Sequence, residues 1–84
     1  MDDAQVREKV KKVFLDVFSN MDEKDFHFNM TNEHIKDWDS LSHMNLVSGL
    51  ETEFGVSMEI DEISEMDSVS KVIDIIEKKL GVKR

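Results

Sequence analysis

Ser40 is preceded by Asp39 and followed three residues later by His43, so one short stretch holds an acid, a hydroxyl and an imidazole. By type these are the members of a hydrolytic triad. By spacing they share one helical turn, whereas a working triad needs a histidine oriented by a buried acid and an oxyanion hole facing the nucleophile. No Gly-x-Ser-x-Gly turn frames the serine, and 84 residues do not easily enclose a substrate pocket. The pattern argues against a hydrolase. Metal chemistry has as little support. His27, His34 and His43 are scattered, and Asp22-Glu23-Lys24-Asp25 lacks the Asp-x-Asp-x-Asp-Gly order of a calcium loop. The sequence holds no cysteine, which removes thiolate catalysis, disulfides and cysteine-ligated zinc. No glycine-rich loop precedes a helix to cradle a phosphate.

What remains is the Ser40 hydroxyl at the head of a helical pattern. It can serve as an N-cap, accepting a hydrogen bond from a first-turn N–H, and spacing alone favours that role. Asp39 competes for it. If Asp39 is the cap, Ser40 becomes the first helical residue with its hydroxyl exposed. A phosphate attached there would sit at the positive end of the helix dipole.

The elements that would position Ser40 can be read from apolar spacing. Val6, Val10, Val13, Phe14 and Val17 form one stripe, predicting a helix from about residue 3 to about residue 18, capped by Asp2 or Asp3. Met21 to Asp39 keeps no single period and reads as a long loop that packs its own aromatics onto the core, with Thr31 or Asn32 capping a turn through Ile35. Such long loops tend to be functional. Leu41, Met44, Val47 and Leu50, with Leu46 and Phe54 alongside, predict a second helix over about 40–54, ended by Gly55. A short helix is expected around Asp61 to Glu65, with Ile63 and Met66 facing in. Asp67 or Ser68 then caps a last helix with the stripe Val69, Val72, Ile73, Ile76 and Leu80, ended by Gly81. Lys78, Lys79, Lys83 and Arg84 suit its negative end. Amphipathic helices bury their stripes against one another, so the expected fold is all-α: a small four-helix bundle of three long helices and one short one, in a single domain over residues 1–84.

Charge restricts the partners. The net charge is −8, which disfavours nucleic acid and anionic lipid, since each phosphate contact needs a cation. The 34 residues between Lys36 and Lys71 contain no Lys or Arg and carry nine acids, while the rest of the chain carries +1. A surface of one sign suits docking to basic partners steered by long-range attraction. No apolar run approaches the roughly 18 residues of a membrane span. The acidic start Met1-Asp2-Asp3 is unlike an export signal, so a soluble, cytoplasmic chain is expected.

Asp39-Ser40-Leu41 at a helix start, after a long loop, resembles the acyl carrier proteins. The resemblance continues through Leu50-Glu51-x-Glu53-Phe54-Gly55-Val56, which is similar to the end of that family's second helix. It extends to Met58–Met66, similar to its acidic third helix, and to Asp67-Ser68-Val69 through Ile76, similar to its fourth. It implies that a phosphopantetheinyl transferase attaches 4′-phosphopantetheine from coenzyme A to Ser40, with Asp39 and Leu41 shaping the recognition motif. The thiol of that arm would carry an acyl group as a thioester, and the chain, itself no enzyme, would present it to fatty-acid, polyketide or lipid-modifying enzymes. The implied partners are an acyl ligase, a synthase or an acyltransferase with a basic docking patch. Glu51, Glu53, Asp61, Glu62 and Glu65 are the docking candidates on a monomeric carrier. Met44, Met58 and Met66 are flexible side chains that could repack around a guest.

The chain departs from the common fatty-acid carriers. They usually have acids two and five residues after the serine, where this sequence has Ser42 and Asn45. His43 stands where a small or polar residue is usual, and Trp38 is large where small residues are common. Rim charges set encounter rate and partner choice, so the departures imply a specialised carrier rather than the housekeeping one. An aminoacyl or peptidyl carrier, or an acidic helical interaction module that bears no cargo, are the alternative readings. In each case the crowded acids of the middle stretch repel one another, so moderate salt or divalent cations are expected to raise the melting temperature. A melting temperature indifferent to ionic strength would show that the acids do not lie together.

Overall fold

The computed structural model of the chain describes residues 2–81. Four helices form the expected bundle: α1 (Asp3–Val17), α2 (Ser40–Phe54), α3 (Ile60–Glu65) and α4 (Val69–Leu80). Among the described residues there is no strand, and no helix is long and apolar enough to cross a membrane. Lys83 and Arg84, expected to complement the end of α4, lie outside the described residues.

Each helix begins where a side chain can satisfy its first N–H groups. Asp2 opens α1 by accepting from the Gln5 N–H at 2.9 Å, and Gln5 Oε1 accepts from the Asp2 N–H at 3.0 Å, a reciprocal capping box. Ser68 opens α4 by accepting from the Lys71 N–H at 3.2 Å. Gly55 and Gly81 end α2 and α4 with φ of 65° and 70°, left-handed values that glycine adopts without steric cost.

α1 is the hub, packing against both α2 and α4. Its buried stripe is Val6, Val10, Val13 and Phe14; α4 contributes Val69, Val72, Ile73 and Ile76. Gly49 of α2 lets that helix approach closely, since a Cβ there would stand only 3.0 Å from the Val13 side chain. The predicted stripe of α2 needs correction. Leu46, Val47, Leu50 and Phe54 are buried, but Leu41 is 73% and Met44 52% exposed. Successive helical residues advance by about 100°, so three-residue steps drift, and nine residues place Leu41 about 180° from Leu50. The buried four instead lie within about 100° of arc around Leu50.

The long connection between α1 and α2 lays its aromatics on α1, as expected. Phe14 is fully buried, with Phe26 at 5.9 Å and the edge of Trp38 at 5.5 Å between ring centroids; Phe18 meets Trp38 at 5.7 Å. Aromatic pairs at such separations add about 0.5–1.5 kcal/mol beyond burial. A 3₁₀ turn at Glu23–Asp25 interrupts the loop. Thr31 does cap a turn, its hydroxyl accepting from the Glu33 N–H at 3.2 Å. The loop is stitched to the head of α4 by Asn32 N–H to Asp67 C=O at 2.8 Å and Val69 N–H to Met30 C=O at 2.9 Å. These bonds flank an isolated bridge between Thr31 and Ser68.

One carboxyl is buried in α4. Glu77 is 3% exposed, and burial, followed by the neighbouring Asp3 carboxyl, raises its pKa above the ordinary carboxylate value. Arg7, which pairs with Asp3 at 3.0 Å, opposes that rise. The folded chain therefore holds this proton more tightly than the unfolded chain. Its contribution to stability is fully present below the unfolded value and is lost as pH rises through the folded one. Glu77→Gln is expected to be more stable than the unsubstituted chain at neutral pH and to lose less stability between mildly acidic and neutral pH. Urea midpoints measured across that range check this; a pH dependence as steep in the variant as in the unsubstituted chain would contradict it.

Candidate functional site

The head of α2 is set by Asp39. Its carboxylate accepts from the Ser42 N–H at 2.9 Å, and chiefly for that reason its pKa lies below the ordinary value. The cap that spacing alone favoured, Ser40, is thus corrected to Asp39. Ser40 is the first residue of α2 and is exposed. Leu41 follows it as an apolar side chain in solvent.

Asp39, Ser40 and His43 come together at this helix start but do not form a triad. The Asp39 carboxylate is directed to the backbone of its own helix, and the His43 ring faces elsewhere. Trp38 Nε1–H donates to His43 Nδ1 at 2.8 Å, and His43 Nε2 lies 2.7 Å from the Ile63 carbonyl oxygen. An indole nitrogen can only donate and a carbonyl can only accept. His43 is therefore the neutral tautomer with its proton on Nε2, and both ring nitrogens are engaged. The rings stack at 6.0 Å with 23° between planes.

A cavity of about 510 Å³ opens beside Ser40, lined by Trp38, Asp39, His43 and Met44 from one side and by Ile63, Ser64 and Met66 from the other, with Asn32 and Asp67 at its margin. Met44 and Met66 thus both line the cavity. Met58 does not line this cavity; it packs against the core, and its N–H donates to Glu51 Oε2 at 2.8 Å. The pairing of Trp38 with His43 and their reach to Ile63 were not read from the sequence. The available signal was the lone tryptophan, placed just before the cap, with a histidine one turn inside the helix.

The five acidic docking candidates fall into two groups. Glu51 is tied to Met58, Glu53 meets Lys12 at 3.4 Å and Lys9 at 3.7 Å, and Glu62 meets Lys79 at 2.7 Å. The Lys79 ammonium, through that bond, holds the Glu62 carboxyl below its ordinary pKa. Asp61 and Glu65 on α3 are exposed to solvent. Beside them, Ile60 is 83% exposed, an apolar surface residue that sequence reasoning had not singled out. Among the described residues, no group of three or more His, Asp or Glu is placed to hold a metal ion.

No family model matches the chain. Among curated proteins it is 31% identical to an acyl carrier protein of Petrotoga mobilis over 75 residues, which cover 89% of this chain and 87% of that protein. It is 41% identical to "Acyl carrier protein 3, chloroplastic" of Cuphea lanceolata over 46 residues, 55% of this chain and 32% of the relative. The first match runs through nearly the whole of both chains, and the helical bundle agrees with it. This chain belongs to the acyl carrier protein family.

Proposed function

We propose that the chain carries acyl groups as thioesters on 4′-phosphopantetheine joined to Ser40. The observation that carries this reading is the exposed hydroxyl of Ser40, released from capping by Asp39, at the head of a 15-residue helix and at the mouth of a cavity. The residues present fit the group: a phosphodiester on Ser40 would sit at the positive end of the α2 dipole, although the Ser42 N–H is already taken by Asp39. The cavity offers both apolar and polar walls to a linker. Bound there, the arm supplies the thiol that a sequence without cysteine cannot.

In the loading step Ser40 Oγ forms a bond to the phosphorus that bears pantetheine in coenzyme A. The phosphoanhydride bond to the nucleotide half breaks, and that half leaves with the second phosphate. The hydroxyl proton must go to a base. His43 is not that base, because one ring nitrogen accepts from Trp38 and the other carries the proton facing Ile63. A phosphopantetheinyl transferase would supply it. Leu41, exposed next to Ser40, gives such an enzyme an apolar contact, and Asp61 and Glu65 give a basic patch its counterparts. Glu51, Glu53 and Glu62 would contribute through the field around them, since each already has a partner within the chain. The head of α2 is uncharged at Ser42 and Asn45, which favours dedicated partner enzymes over the general fatty-acid set.

Incubation with coenzyme A and a transferase is expected to add one pantetheinyl phosphate to the intact mass, and Ser40→Ala is expected to abolish the adduct. Because Asp39 remains the cap, that variant should melt within a few degrees of the unsubstituted chain. No adduct under conditions that modify a control carrier would instead indicate an interaction module without cargo.

A further inference from the structure

Trp38 and His43 stand at the boundary between the cavity beside Ser40 and the aromatic core. Both line the cavity, and Trp38 also packs against the rings of Phe14 and Phe18. The opposite wall is α3, a six-residue helix with no buried residue of its own. It is attached by the His43 bond to Ile63 C=O, the Lys79 pair with Glu62, the partly buried Ile63 side chain packed against the core, and Met66, whose side chain is buried just past the helix end.

We propose that the hydrogen-bonded series Trp38–His43–Ile63 is an acid-sensitive gate. Closed, it pins α3 to the head of α2 and shuts the cavity beside Ser40 off from the Phe14 and Phe18 core; protonation of His43 opens it. The chemistry follows from the donors and acceptors. Neutral imidazole has one donor and one acceptor, and both are used here. Imidazolium has two donors and no acceptor. Proton uptake at Nδ1 would set two N–H groups against each other across the present 2.8 Å between Trp38 and His43, so that contact must break. Once that contact breaks, the imidazolium keeps its Nε2–H on the Ile63 carbonyl, while the indole, held then only by its packing against Phe14 and Phe18, is free to shift at the boundary between cavity and core.

The ionisable groups around His43 do not replace the lost bond. Asp39, from the start of α2, has its carboxylate bound to the Ser42 N–H. Asp67, from the turn before α4, lines the far side of the cavity and accepts from the loop through its carbonyl. On α3, Glu62 is paired with Lys79 of α4, and Asp61 and Glu65 are exposed. α1 contributes only the uncharged rings of Phe14 and Phe18 at this point. An imidazolium that leaves the indole thus meets carboxylates at the cavity margin, and none of them is an acceptor that restores the closed arrangement.

If the carrier reading of Ser40 holds, the gate determines whether a tethered group stays in the outer cavity or reaches the interior. The gate itself is testable on the chain without any arm, so its failure and the failure of that reading are separate results. Trp38 is the sole tryptophan, so its indole N–H resonance reports the contact directly. Between about pH 8 and pH 5, where histidine changes charge, that resonance is expected to move upfield in one transition and lose its protection from solvent exchange. Fluorescence of the neutral dye Nile red, added to the same samples, is expected to rise over the same transition. His27→Gln and His34→Gln should keep both responses. His43→Gln, whose amide can both accept and donate, should abolish them while keeping the helical circular dichroism. An indole resonance that does not move, a transition that survives in His43→Gln, or dye uptake that ignores an indole transition would each overturn the gate. If His43→Gln does not fold, Trp38→Phe serves in its place. That variant has no indole donor, so its Nile red uptake should already be high at neutral pH; uptake as low as in the unsubstituted chain would equally overturn the gate.

Discussion

The hydrogen bond from the Ser42 N–H to the Asp39 carboxylate, 2.9 Å long, decides which residue begins α2. Caps of this kind are worth about 1 kcal/mol, a modest amount beside the core. Their positional consequence is larger. With Asp39 as the cap, Trp38 is the last residue of the loop and Ser40 the first of the helix. Trp38 is held from within by Phe14 and Phe18, so one residue on either side of the cap separates a packed indole from an exposed hydroxyl. The long loop and the aromatic cluster have the same effect. They hold the start of α2 against α1, so that the hydroxyl is presented by a fixed helix end.

The acids of the middle stretch look uniform in sequence and are not used uniformly in space. Three turn inward on the chain: Glu51 receives the Met58 N–H, Glu53 faces Lys9 and Lys12 of α1, and Glu62 faces Lys79 of α4. The lysines come from the flanking segments that balance the charge, so the separation of charge along the chain becomes pairing across helices. Exposed pairs contribute only about 0–1 kcal/mol each. Their effect is to orient helices and to leave Asp61 and Glu65 of α3, next to Ile60, as an outward acidic and apolar edge.

Most of the fold was legible because local chemistry and tertiary packing agree. The spacing of Val6, Val10, Val13 and Phe14, the cap at Ser68 and the left-handed glycines 55 and 81 each act within a few residues, and α1, α2 and α4 fall where those signals put them. The candidate site was legible only in its serine. Spacing favours Ser40 as the cap where the structure has Asp39, because both are good caps and neighbours differ by only one residue of register. Leu41 and Met44 fit a three-residue step that the true helical pitch carries away from the core. Met58 packs against the core rather than on the cavity beside Ser40, a place that depends on how the chain crosses from α2 to α3 and leaves no periodic trace. Trp38 and His43 were each noted singly. What joins them is the Ile63 carbonyl, 20 residues further along, and a backbone acceptor has no residue type by which a sequence could announce it.

The same distinction bears on which part of the bundle yields most easily. α1, α2 and α4 are joined by fully buried side chains such as Phe14, Leu46, Leu50 and Ile76, each worth about 1.5–3 kcal/mol. A protein hydrogen bond contributes about 0.5–1.5 kcal/mol net. α3 has no fully buried residue and relies on a few such bonds, the partly buried Ile63 side chain and the Met66 side chain that follows it. Loosening α3 therefore exposes less apolar area than loosening any other helix, each of which opens the core. Local openings follow the least costly route, and here that route lies along the wall of the cavity beside Ser40. The polar attachments of that wall lie at His43 and Lys79.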